Sequence, residues 1–105
     1  MHSAERWHTL SVSEQLANVG SEVNRAFQAL NAGKRHRLDG AIARALELFD
    51  LSATDPRWSV HRRREILRAR EEFCRIFHDP DVAEHSAEGL GRYFLAFAVH
   101  ARMRA

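Results

Sequence analysis

An apolar stripe that steps by alternating threes and fours recurs on four separate segments of this chain, and it constrains the fold more than any other feature. Val12, Leu16, Val19, Val23, Ala26 and Leu30 carry the first stripe, and Leu38, Ile42, Ala45 and Phe49 the second. Leu90, Phe94, Phe97 and Ala101 carry the last. Between them Ile66, Phe73 and Phe77 keep the rhythm, but Arg70 fills the slot that would complete it. Helices with one such stripe bury it against one another, and short turns make consecutive helices neighbours. The pattern predicts an all-α fold, an antiparallel up-down four-helix bundle preceded by a short N-terminal arm. With 105 residues there is material for a single domain around one core.

Boundary signals divide residues 1–105 into an arm over 1–10 and helices over about 12–31, 34–50, 59–78 and 87–102. Ser11 followed by Glu14 forms a capping box, and Gly33 stands where a left-handed residue closes a helix. Asp55-Pro56 marks the entry to the third helix, and Pro80 forbids its continuation. A polar connection through Asp81, Glu84 and His85 then leads to Ser86 as a cap for the last helix. Within the first helix, Ala17, Gly20, Ser21 and Asn24 make a strip of small side chains, which suits the close approach of a neighbour.

The last helix is apolar on more than one side. Once Leu90, Phe94 and Phe97 take the core, Leu95, Val99 and Met103 project elsewhere. Contiguous exposed apolar surface marks a contact site, so these three are the expected protein interface, for a homo-oligomer or a helical partner. The alternative is that the arm folds over them through Trp7 and Leu10.

Arg70, on a core-facing position, requires a partner, because an unpaired buried charge costs several kcal/mol. Glu22 is the expected one, making a buried structural charge pair, with Glu72 or a helix-end carbonyl as alternatives. Arg62, Arg63, Arg64, Arg68 and Arg75 form a second candidate set, for nucleic-acid phosphates. Glu65, Glu71 and Glu72 are interleaved with them at salt-bridge spacing, and no aromatic is placed to stack on bases. A solvated charged face explains the set more simply.

Signals for other chemistry are missing. Cys74 is the only cysteine, which excludes an intrachain disulfide and a cysteine-built zinc site. No two of the seven histidines lie three or four residues apart. No phosphate-binding loop, nucleophile elbow or paired carboxylate motif occurs. The chain is expected to be no enzyme, with no cofactor and no metal. The longest apolar run, Tyr93 to Val99, falls far short of the ~20 residues of a membrane span. Met1, His2 and Ser3 lead directly to charged Glu5 and Arg6, without a hydrophobic signal core, so a cytoplasmic location is expected.

Three stretches, Trp7 to Ala26, Ala43 to Trp58 and Arg64 to Phe77, together resemble a group of small prokaryotic helical proteins without an established activity. The resemblance covers most of the chain. It implies a helical bundle in a cytoplasmic setting and brings no catalytic residues. The function expected is a non-catalytic interaction module, an adaptor or accessory subunit that self-associates. A nucleic-acid-binding accessory protein is the alternative.

Overall fold

Five helices form where local signals allow them, and all of the regular structure among the described residues is helical. The computed structural model describes residues 3–103, with side chains described everywhere except over 80–85. Met1 and His2 of the expected arm lie outside that range.

Ser3 caps a single turn, α1 (Ala4–Trp7), its hydroxyl accepting from the Arg6 amide at 3.2 Å. The capping box at the start of α2 (Val12–Asn31) is complete. The Glu14 amide donates to Ser11 Oγ at 3.1 Å, and the Ser11 amide donates to the Glu14 carboxylate at 2.9 Å. Donation from the Ser11 backbone amide, with a smaller contribution from its hydroxyl, holds the Glu14 carboxyl below its ordinary pKa. At the other end Gly33 adopts a φ of 68°, the left-handed conformation that a side chain disfavours. The Lys34 amide then reaches the Ala29 carbonyl and the Gly33 amide the Leu30 carbonyl, the paired bonds of a Schellman turn.

The chain reverses at once into α3 (Arg35–Ala53). This helix runs three residues past its expected end, because Leu51, Ser52 and Ala53 still find burial at the base of the molecule. Ser59 opens α4 (Val60–Ile76) at its expected start, its hydroxyl accepting from the Arg62 amide at 3.1 Å. The last helix, α5 (Pro80–Met103), begins seven residues before the expected 87. Pro80 does stop α4, but the same ring that cannot continue a helix is preorganised to start one. The stretch containing Asp81, Glu84 and His85 is therefore the first turns of α5 and not a connection, although the side chains over 80–85 lie outside the description.

Each long helix packs on two others: α2 on α3 and α5, and α4 on α3 and α5. Leu16, Val19, Phe49, Ile66 and Phe73 are fully buried at the centre. Aromatic rings from all four helices meet there. Phe27 lies 6.2 Å from Phe73, Phe73 5.8 Å from Phe49, and Phe49 5.9 Å from Phe94. The small-residue strip of α2 serves close approach. A Cβ placed on Gly20 would come within 2.6 Å of Phe94 Cβ, so α5 could not sit this near α2 with any larger residue there. None of the described helices is long and apolar enough to cross a membrane.

Candidate interaction face

On α5 the core takes Leu90 and Phe94, with Tyr93 and Phe97 packed against it. One hundred degrees per residue carries Leu95, Val99 and Met103 to the opposite side, and nothing covers them among the described residues. They are 61%, 44% and 80% exposed, the longest run of large exposed apolar side chains along any helix among the described residues. A shallow groove of about 270 Å³ runs beside them between α2 and α5, floored by Ala17, Ser21, Gly91 and Ala98 with Leu95 on its rim.

The described part of the arm does not cover this face. Trp7 turns instead into the base of the molecule, where it is 4% exposed and its indole N–H donates to Ser52 Oγ at 3.0 Å. It meets there a polar cluster that periodicity could not reveal. Gln15 is wholly buried, and its amide donates to the Trp7 carbonyl and to Asp55 Oδ2, both at 2.9 Å. Its carbonyl accepts from Trp58 Nε1 at 3.1 Å. Asp55, also wholly buried, receives Arg57 through the guanidinium at 2.7 Å and through the backbone amide at 2.9 Å. Burial alone would raise the Asp55 carboxyl, but the bonds from Arg57 and Gln15 outweigh it and bring it down to about 2. Arg57 also donates to the Leu10 carbonyl at 2.5 Å, and its guanidinium lies over the Trp58 ring. Arm, α2 and the α3–α4 link are thus tied through two buried side chains. The sequence signal was a glutamine at a position flanking the first stripe, together with Asp55 read only as a helix cap.

The expected pairing of Arg70 with Glu22 is not made. Arg70 Nε donates to Asp50 of α3 at 2.9 Å, at a site where the arginine side chain keeps 34% of its exposure. The reason lies in the register of α4: its buried residues are Ile66, Ala69, Phe73 and Ile76, so Ala69 takes the slot assigned to Arg70. Arg70 stands at the edge of the stripe, where a long stem carries the charge to water. Glu22 is nearly buried but joins α2 to α3, accepting from Arg25 at 2.5 Å and from Arg44 at 3.1 Å.

The five arginines of the phosphate-binding set divide. Arg62 pairs with Glu65 at 2.7 Å and lies over the Phe97 ring, and Arg63 donates to the carbonyls of Ala53 and Asp55. Arg75 stands 3.5 Å from Glu72. Arg64 and Arg68 are exposed, with no ion pair or hydrogen bond among the described residues. Glu65 also accepts from the Tyr93 hydroxyl at 2.8 Å, and burial together with that carboxylate pushes the phenol above its ordinary pKa. Ser86 donates to Glu72 beside it, closing the α4–α5 seam with polar contacts.

One pairing has a catalytic look. Ser13 Oγ and His100 Nδ1 share a hydrogen bond of 2.7 Å. Ser13 is buried, however, and no carboxylate among the described residues orients the imidazole, so the pair joins the C-terminal end of α5 to the start of α2. No group of three or more potential metal ligands is gathered among the described residues. Comparison with known protein families, curated proteins and solved structures finds no match.

Proposed function

We propose that this chain is a non-catalytic helical interaction module, an adaptor or accessory subunit that works through the outer face of α5. The observation that carries the reading is the unbroken exposure of Leu95, Val99 and Met103 on a helix whose opposite side is fully used by the core. A stripe of that kind is costly to leave wet and is typical of a surface that meets another protein. In the same reading the four long helices run alternately up and down. The three-residue reversal at Ala32 to Lys34 and the packing of each helix on its sequence neighbours support that topology. A cytoplasmic setting fits a chain whose single thiol has no intrachain partner.

The nucleic-acid alternative draws on five arginines, three of which are engaged within the molecule, and we do not adopt it. Light scattering coupled to size exclusion tests the choice. The interaction reading expects a mass that rises with concentration, is insensitive to stripping nucleic acid with salt, and falls toward monomer in Leu95→Glu and Val99→Glu with helicity unchanged. A mass unaltered by both substitutions would remove this face from consideration.

A further inference from the structure

The outer face of α5 also carries charge, in an arrangement that selects an occupant. Along the strip Glu88, Arg92, Leu95, Val99 and Arg102 follow one another by fours and threes, and all five are exposed. Glu88 lies seven residues before Leu95 and Arg102 seven after, two turns or about 10 Å on either side. Neither has an ion pair among the described residues. Inverting the strip about a two-fold axis through Leu95 sets Glu88 against the partner's Arg102 and Arg102 against the partner's Glu88. The same inversion brings Gly91 opposite the partner's Val99. Gly91 has open space beyond it, with no atom within 4 Å of where a Cβ would stand, so the branched side chain finds room. A parallel arrangement would oppose Glu88 to Glu88 and Arg102 to Arg102, which repel. The strip is therefore complementary to its own inverted copy.

We propose that α5 pairs with a second copy of this chain, antiparallel and centred on Leu95, with Glu88 of each protomer against Arg102 of the other. The proposal rests on the reading of this face as a contact surface. One helix pair over about 21 Å lies at the low end of specific interface sizes, so the dimer is reversible and depends on concentration.

Sedimentation equilibrium on the full chain tests it, using Glu88→Arg, Arg102→Glu, the double variant and Leu95→Glu. Each single reversal turns two symmetry-related attractions into repulsions and is expected to weaken association by about tenfold at low salt, and by less at high salt. The double variant exchanges the charges and is expected to recover the parent association. Recovery in the double variant cannot come from damage to the fold. If Leu95→Glu is monomeric while neither single reversal changes association, the register is overturned and the contact face survives. A parent chain that stays monomeric at every concentration overturns the second copy as occupant. If the chain dimerises and Leu95→Glu does so equally well, both the register and the face fall.

Discussion

Asp55 is a buried carboxylate whose desolvation is offset by donors from Gln15 and Arg57. Its pKa falls from the ordinary 3.8 to about 2 on folding. A carboxyl lowered in the folded state adds stability above the unfolded pKa and loses it as the pH drops through the folded one. Asp55→Asn is therefore expected to cost about 2 kcal/mol at neutral pH, less any screening because Arg57 faces water. The gap to the parent should close as pH falls from about 4 to 2, and urea titrations across that range would show it. A gap independent of pH would assign the effect to hydrogen bonding rather than charge. Arg70 presents the opposite case. Its contact with Asp50 is half in water, so Arg70→Met should change the unfolding free energy from urea titration by no more than about 1 kcal/mol.

Within the elements, spacing located the helices and small residues decided their register. On α4 the large side chains Ile66, Phe73 and Phe77 suggest one stripe, yet Ala69 and Ile76 occupy the buried side. A periodicity read from large residues undercounts alanine, which fills a core slot without announcing it. A different signal hid the first turns of α5, because at Pro80 a stop for one helix is also a start for the next. Glycines in α2 and α5 make the packing testable. Gly20→Ala gains helix propensity of about 1 kcal/mol but drives a methyl into Phe94, so a net loss of about 1 kcal/mol is expected in thermal or chemical melts. Gly89→Ala meets open space and should gain about 0.5–1 kcal/mol instead. Equal effects from the two would mean that α5 does not press on Gly20.

Across the whole molecule, four long helices spend their large apolar side chains on one core and leave a second stripe on α5 without a neighbour among the described residues. A Cα radius of gyration of 13.4 Å is close to the ~13 Å of a compact domain of this length, so the stripe is not a sign of loose folding. In the proposed reading a second molecule covers it. Leu95→Glu should therefore leave the thermal midpoint measured at low concentration nearly unchanged, and should abolish the rise of that midpoint with concentration that self-association brings. A concentration-independent midpoint in the parent would count against a second copy on α5.

The helical class, the four long segments, the capping box at Ser11, the turn at Gly33 and the exposed stripe of α5 were legible from residue order alone. Each depends on contacts within four residues or on a periodicity of 3.6, and both are written along the chain. The partners of Arg70 and Glu22, the burial of Gln15 and Asp55, and the destination of Trp7 came only from the tertiary structure. The contacts that decide them join distant parts of the chain, as with Glu22 and Arg44, Arg70 and Asp50, or Gln15 and Asp55. A polar side chain at the edge of a stripe can turn inward or outward at nearly equal local cost. Which way it turns depends on what the neighbouring helix presents, and that is settled only when the helices pack.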